Sequence, residues 1–468
     1  MSLPTERPTG RVRVRFAPSP TGLLHVGNLR VALANVLFAR RHAGTFILRF
    51  DDTDTQRGRP EYAEGIVQDL RWAGLEWDES FAQSDRLARY RLAAEQLKQS
   101  GLLYPCFESE EELRAKREQA LRRHAAPIYD RAMLSLTAEQ RAAAEANGKL
   151  PYWRFKLSGR TIEWRDLVLG ARAVKLTSVS DPVLIRADGS FLYTFSSVVD
   201  DLESGISHVI RGEDHITNSG VQIDLLEALG ASPASIRFAH LPLLTESDGS
   251  KLSKRLDALS LRSLARDGIE PMALTSYLAR LGTSDDPAPM TLRELAAQFE
   301  FSRFSASAAR FDIAQLLALN RRVLHAAEFA EVAGRLPAGT TETFWNAVRG
   351  NLDLLGEARS WWDVVSGSIT PPALEGETEF LAVAEAALPG EPWDETIWKR
   401  WIEAVKTASG RRGRALFHPL RLALTGEESG PELAALLPLM GRTRVVERLR
   451  QGQGLCPAVL KHGTPLGA

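Results

Sequence analysis

Apolar positions divide the chain into an N-terminal part whose period changes from element to element and a C-terminal part whose period is helical. Val12, Val14 and Phe16 alternate with polar residues as one face of a short strand does, and Pro18 and Pro20 stop it. After a turn at Thr21 and Gly22, the residues Leu29, Ala32, Leu33, Val36 and Leu37 recur at helical spacing, with Arg40 and Arg41 in the last turn and Gly44 expected to close it. TFILRF, at 45–50, is a nearly continuous apolar run that ends in Asp51, Asp52, Thr53 and Asp54. Strand, helix and buried strand predict a βαβ unit with a parallel sheet.

Two capping boxes, Ser109 with Glu112 and Thr137 with Gln140, open charged helices; the first runs to about His124 and the second ends at Asn147 and Gly148. Residues 105–180 therefore read as an insertion. The sheet is expected to resume with strands at 191–202 and 208–215, a helix at about 218–230 and a further strand in RFAHLPLLT. A third box, Thr291 with Glu294, begins a helical pattern broken at Pro371, Pro372, Pro389 and Gly390, so the C-terminal third is expected to be all-α.

A length of 468 residues exceeds one core and suggests two to four domains. With 44% hydrophobic and 25% charged residues, the composition is that of a folded globular chain. Cys106 and Cys456 cannot form a disulfide framework, which fits a reducing, cytoplasmic location. The N-terminus lacks a signal-peptide core, and no stretch approaches the roughly 20 apolar residues of a membrane span, so no membrane association is expected. The net charge of -1 hides a segregation. Residues 361–395 carry eight acids and no Lys or Arg, whereas from Gly410 onward nine Lys and Arg face four acids, a basic region able to touch nucleic acid.

Candidate chemistry gathers at two places. Arg13 and Arg15 lie on the strand face opposite the valines, and Arg15 sits near the C-terminal end, where open α/β sheets bind ligands. The following helix start favours an anion; Gly27 leaves room for a base or ribose, and His25 can donate to a phosphoryl oxygen. Much later, DGSKLSKR at 248–255 sets Gly and Ser beside Lys251 and Lys254, a loop able to bring ammonium groups to departing pyrophosphate. It is not a Walker A loop, whose spacing is absent from the chain.

PSPTGLLHVGN paired with KLSKR resembles the two signatures of class I aminoacyl-tRNA synthetases. RFAPSPTGLLHVGN, LRFDDTD, VVDDLESGISHVIRGEDH and GRALFHPLRLALTG together are similar to the bacterial glutamyl-tRNA synthetases, over nearly the whole chain. The resemblance implies a Rossmann-type α/β catalytic domain at 1–104 and 181–240, an inserted α/β acceptor-binding subdomain at 105–180, a stem-contact region at 241–322 carrying the KLSKR loop, and a helical anticodon-binding region at 323–468. It also implies an ATP-dependent, Mg²⁺-assisted formation of glutamyl adenylate and transfer of glutamate to the terminal adenosine of tRNA, without a covalent enzyme intermediate.

By the same resemblance, His25, Gly27, Asn28, Ser253 and Lys254 would bind ATP, with His25, Asn28, Lys251 and Lys254 catalytic. Arg15 and Arg211 would hold the glutamate carboxylates, Ala17, Ser19, Tyr193 and Ser197 would line the same site, and Asp51 would accept the ammonium group. Asp51 stands where many relatives have Glu, and Ser197 where several have Asn. Some relatives bind zinc through a Cys-x-Cys pair where this chain has Cys106, Phe107 and Glu108, so no structural zinc is expected.

Arg411, Arg412, Arg414 and Arg421 flank Phe417 and His418, a mixture suited to phosphates and unpaired bases; Arg349 and Asn351 lie near where relatives discriminate between tRNAs. Partners are then glutamate, ATP and tRNA-Glu, with tRNA-Gln left open, and the family is usually monomeric. Rival readings are a glutaminyl-tRNA synthetase, a non-discriminating enzyme, a truncated tRNA-modifying paralogue and a catalytically inactive RNA-binding relative. PSP, HVGN and the helical C-terminus speak against the first; the helical anticodon half excludes the paralogue. The complete set His25, Arg15, Arg211, Lys251 and Lys254 speaks against an inactive protein.

Overall fold

The computed structural model describes residues 10–54, 58–246, 249–250, 259–367, 369 and 371–454. Lys251, Ser253, Lys254 and Cys456 lie outside the described residues. The chain divides into two compact units, one of Met1–Arg266 with Pro271–Ile313, the other of Asp267–Glu270 with Ala314–Ala468.

The first unit opens with β1 (Arg13–Phe16), α1 (Val26–Arg41), β2 (Thr45–Phe50), α2 (Pro60–Trp72) and β3 (Glu79–Ala82). β1 pairs with β2 and β2 with β3, all parallel, with Arg13 opposite Thr45 and Ile47 opposite Glu79. The end of α1 departs from the expected glycine stop. Ala43, not Gly44, takes the left-handed turn at φ 47°, while the Gly44 N–H closes on Ala39 O at 2.8 Å. Gly44 is needed for space instead, because a Cβ there would lie 2.5 Å from the Val12 carbonyl oxygen.

After α3 (Leu87–Gln99) come β4 (Leu103–Cys106), α4 (Glu110–Arg122), α5 (Ala138–Ala146), β5 (Tyr152–Phe155), β6 (Thr161–Asp166), β7 (Gly170–Lys175) and β8 (Val183–Ile185). β4, β5 and β8 form an antiparallel sheet, and β6 and β7 a hairpin. Both capping boxes close as their sequences dictate: Ser109 Oγ takes the Glu112 N–H at 3.2 Å, and Glu112 returns to the Ser109 N–H at 2.7 Å; Thr137 and Gln140 repeat the exchange.

The expected strand at 191–202 is a helix, α6 (Tyr193–Glu203). Phe195, Val198, Val199 and Leu202 follow the i, i+3, i+4, i+7 spacing of a helix face, but Ser196, Ser197, Asp200 and Asp201 are buried as well. The polar stripe is present in the sequence but is buried against Arg15, Arg49 and Gln83 instead of facing water, while the aromatic and β-branched residues favour a strand by propensity. β9 (His208–Gly212), α7 (Ile216–Ala228) and β10 (Arg237–Leu241) complete the core, with β9 and β10 parallel.

β9 lies beside β1, joined by the Ser207 N–H to Arg13 O at 3.0 Å and the Arg13 N–H to Ser207 Oγ at 2.9 Å. The resulting order, β3-β2-β1-β9-β10, is that of a doubly wound sheet whose strand order reverses between β1 and β9. α7 touches the β6–β7 hairpin closely: a Cβ on Gly220 would lie 2.6 Å from Val174 Cβ.

The second unit is helical, including Glu342–Val348, Ala358–Ser366, Thr378–Ala386, Ile397–Ser409, Arg414–Thr425, Leu433–Met440 and Arg442–Gly452. Its core surrounds the fully buried Trp345 and Trp401. Each indole N–H finds a carbonyl, Ala327 O at 2.9 Å and Ala384 O at 2.8 Å, so burying these rings leaves no donor orphaned. No helix among the described residues is long and apolar enough to cross a membrane.

His208, 6% exposed at the start of β9, packs on Phe38 and shares a 2.8 Å hydrogen bond with Ser207 Oγ. Burial, helped by Arg237, lowers its pKa to about 4 from an ordinary 6.5. Its folded form thus stays neutral across a range where the unfolded chain gains a proton. Its contribution is complete above about pH 6.5 and is lost as pH falls towards 4. Urea unfolding at pH 7 and pH 5 should show a loss to which His208 contributes about 1–2 kcal/mol, and His208→Asn should remove that part of the slope.

Candidate active site

A cleft of about 670 Å³ opens where β1, β9 and β10 end. Of the residues expected from the sequence, Arg15, Ala17, Ser19, His25, Gly27, Asn28, Tyr193 and Arg211 line it. Asp51 and Ser197 do not; they lie in the buried network that holds Arg15.

The start of α1 forms one wall. His25 is its N-cap, with Nδ1 accepting the Gly27 N–H at 3.0 Å while Asn28 Oδ1 accepts the His25 N–H at 3.2 Å. Burial holds the imidazole below its ordinary pKa. With Nδ1 committed as acceptor, the neutral ring carries its proton on Nε2, a donor available to a ligand. Gly27 is required here because a Cβ would lie 2.9 Å from His25 Cε1. Immediately after the lysine-bearing residues, the chain returns to this helix start: the Val26 N–H donates to Leu259 O at 3.2 Å and the Leu261 N–H to Leu24 O at 3.0 Å.

The opposite wall is set by four buried charges. Arg15 donates from Nε and Nη2 to Asp201 at 3.0 and 3.2 Å. Arg49, 1% exposed, donates from Nη1 to the same Asp201 at 2.7 Å, from Nε and Nη2 to Asp51 at 2.6 and 3.2 Å, and from Nη2 to Ser197 Oγ at 3.0 Å. Burial alone would raise the Asp201 carboxyl, but Arg15 and Arg49 together hold it below the usual carboxylate range. These four are joined by the buried Asp200, 4.0 Å from Arg49 Nε, and burial pushes the Asp51 carboxyl up to about 6, so Asp201 is the carboxylate through which Arg15 enters the cleft already paired.

Arg211 differs. It is 5% exposed, and its hydrogen-bond partners are neutral: Tyr193 OH at 3.1 Å, Ser219 Oγ at 2.5 Å and Gln222 Oε1 at 2.6 Å. Its Nε has no partner. Burial lowers its pKa, as expected for a desolvated cation without a bonded carboxylate. Arg30, a third buried guanidinium on the cleft, also has only neutral partners and an open Nε among the described residues, but it ties two backbone carbonyls together, those of Pro242 and Leu281, and Glu213 acts on its charge. Such a site suits an anion that brings its own charge to Arg211.

Several of these residues escaped the sequence reading. Arg49 carried a signal, since it shares a strand face with Asp51 two positions on. Asp201 carried none, because its partner Arg15 lies 186 positions away, and Ser219 and Gln222, though only 8 and 11 positions from Arg211, meet it from the next helix, a contact no local spacing rule reads. Asp200 ties Gln83, Arg86 and Tyr90 to α6 at 2.8, 2.6 and 2.8 Å.

In the second unit the residues expected at RNA differ in their freedom. Arg411 is paired with Glu377 and lies over the Phe380 ring, Arg421 donates to Pro431 O at 2.9 Å, and Arg349 donates to Ala327 O at 2.7 Å. Arg412, Arg414, Asn351 and Phe417 are exposed, with Phe417 against Trp398 at 6.1 Å.

The cleft at the reversal point of a doubly wound sheet, with a His-x-Gly-Asn helix start on one wall and buried arginines on the other, defines the catalytic unit of a class I aminoacyl-tRNA synthetase. The family model described as tRNA synthetases class I (E and Q), catalytic domain, matches residues 11–318, and that described as Anticodon binding domain matches residues 373–453. Proteins named Glutamate--tRNA ligase 2 are similar to the chain: that of Granulibacter bethesdensis is 66% identical over 95% of this chain and 99% of its own, and that of Acidiphilium cryptum 63% identical over 95% and 100%. A crystal structure of a glutamate tRNA ligase from Elizabethkingia meningosepticum, in complex with its amino acid, is 27% identical and superposes with a TM-score of 0.83 over 95% of this chain and 99% of that one. The chain belongs to the bacterial glutamyl-tRNA synthetase family.

Asp201→Asn takes from Arg15 its bonded carboxylate and leaves Arg49 with Asp51 and the more distant Asp200. Removing one partner from a buried ion-pair network costs about 3–5 kcal/mol. Chemical denaturation should show a loss of that order, whereas Glu79→Gln, at the surface pair with Arg13, should change stability by less than about 1 kcal/mol.

Proposed function

We propose that the protein attaches glutamate to tRNA by forming glutamyl adenylate from glutamate and MgATP and then transferring the glutamyl group to the terminal adenosine. The observation that carries this reading is Arg211, a buried guanidinium that stands beside Arg15 and Tyr193 on the cleft and whose hydrogen-bond partners among the described residues are all neutral side chains. A substrate carboxylate supplies the missing anion. Arg15, Ala17, Ser19 and Tyr193 stand with it at the glutamate end, and Asp51 and Ser197 act through Arg49, which binds both.

ATP lies along the start of α1. His25 Nε2–H donates to a phosphoryl oxygen, Gly27 leaves room for the nucleotide, and Asn28 holds the helix start in shape. Lys251 and Lys254, with Ser253 between them, bring positive charge to the departing pyrophosphate. The carboxylate oxygen attacks the α-phosphorus, pyrophosphate leaves, and the tRNA hydroxyl later displaces AMP, so positioning and charge stabilisation do the catalytic work.

The segment 105–180 receives the acceptor end, 241–322 contacts the stem, and 323–468 reads the anticodon through Arg412, Arg414 and Phe417, with Arg349, Asn351, Arg411 and Arg421 shaping that surface. The enzyme works as a cytoplasmic monomer. It needs no structural zinc, since the position offers one thiol, that of Cys106, pushed up to about 11 by burial. The neighbouring Glu108 carboxylate is already taken by Tyr129, Tyr152 and Lys116 at 3.0, 3.0 and 2.9 Å. Metal analysis of the purified protein should find zinc well below one equivalent; a stoichiometric content contradicts this.

Exchange of pyrophosphate with ATP should require glutamate and be stimulated by tRNA, and purified tRNA-Glu should be charged. Charging tRNA-Gln side by side measures discrimination. Absence of both exchange and charging in the presence of tRNA would overturn the proposal.

A further inference from the structure

Behind Arg211 runs a chain of hydrogen bonds that none of the reaction steps uses. Asp166, the last residue of β6, accepts on Oδ1 the backbone N–H groups of Val168, Leu169 and His240 at 3.0, 2.9 and 3.1 Å, and its Oδ2 lies 2.6 Å from His240 Nδ1. His240 Nε2 lies 2.8 Å from Ser219 Oγ, and Ser219 Oγ takes Nη2 of Arg211. His240 and Ser219 are fully buried and Asp166 is 3% exposed.

The direction of each bond follows from the carboxylate. Burial alone would raise the Asp166 carboxyl, but hydrogen bonds from His240 and the Leu169 backbone hold it below its ordinary range. An ionised Asp166 accepts only, so His240 carries its proton on Nδ1 and accepts on Nε2. Ser219 then donates to His240 at 2.8 Å in preference to the His215 carbonyl, the other acceptor in reach at 3.2 Å, and leaves its oxygen for Arg211. The order of residues is that of a hydrolytic triad, but this serine is sealed from solvent and its oxygen is covered by a guanidinium, so it is no nucleophile.

We infer that Asp166, His240 and Ser219 are positioning residues for Arg211, fixing its guanidinium without neutralising it and tying its placement to the β6–β7 hairpin. This rests on the reading that Arg211 takes a glutamate carboxylate. A carboxylate bonded directly to Arg211 would cancel the charge that the substrate needs; an imidazole and a hydroxyl between them pass on orientation and leave the charge. The hairpin grips both ends of the relay. Gly220, next to Ser219, lies against Val174 of β7, and the Leu167 N–H donates to Phe238 O of β10 at 2.9 Å, two residues before His240.

The test uses the full-length enzyme and steady-state charging, with Ser219→Ala, Asp166→Asn and the double variant. One hydrogen bond to a charged group contributes ~1.5–3 kcal/mol, so the glutamate KM should rise about 10- to 100-fold while the ATP KM stays within about twofold. Because both changes cut one chain, the double variant should be no worse than the weaker single one. His240→Gln, which keeps an amide beside Ser219 but loses Asp166, replaces any variant whose thermal unfolding shows it unfolded at the assay temperature. Unchanged glutamate KM values, equal rises for glutamate and ATP, or penalties that multiply in the double variant would overturn the relay. Arg211→Ala separates the two claims. If it raises the glutamate KM and the relay variants do not, the relay alone falls; if it leaves the KM unchanged, the glutamate reading of Arg211 falls and the relay with it.

Discussion

A buried positive charge is stable only if something in reach answers it, and the cleft meets this constraint in two ways. Arg15 is answered inside the protein by Asp201, a carboxylate it shares with Arg49, so its position is fixed and its charge is already paired. Arg211 is hydrogen-bonded, among the described residues, only to neutral oxygens, and Asp201 acts on it only through space. The fold therefore holds one cation as scaffold and one in reserve, a few side chains apart. Desolvation makes the reserved charge strong and selective, because a neutral ligand would leave it uncompensated.

The doubly wound sheet makes this possible. Reversal of strand order between β1 and β9 brings the ends of the two strands carrying Arg15 and Arg211 to one crevice, and α6 supplies Asp201 from beneath. On the other wall, the start of α1 presents Nε2–H of His25 because Nδ1 is occupied as the cap. The buried arginines and the helix-start donor are thus held on separate walls of one cleft by the geometry of strand and helix termini.

What the sequence made legible was whatever depends on neighbours along the chain. The capping boxes at Ser109, Thr137 and Thr291, the strand at 45–50 and the helix start at His25 all follow from contacts within four residues. The βαβ order and the all-α C-terminal part followed from period alone. Residues 191–202 read as a strand by the propensity of their aromatic and β-branched residues, which outweighed the helical spacing of Phe195, Val198, Val199 and Leu202 opposite Ser196, Ser197, Asp200 and Asp201; the helix wins because that polar face is buried on the arginine network. The Asp201 and His240 contacts were out of reach for another reason: Asp201 meets Arg15 across 186 positions and His240 meets Asp166 across 74. Asp51 looked like a free acceptor until Arg49, two residues before it, was seen to hold both of its oxygens.

Glutamate co-crystallised with the enzyme tests most directly whether Arg211 is the reserved cation. A substrate carboxylate oxygen should lie within about 3.2 Å of the Arg211 guanidinium, with Arg15 still bonded to Asp201. Glutamate bound with both carboxylates on other groups, and Arg211 unchanged on Tyr193, Ser219 and Gln222 with its Nε unfilled, would contradict it.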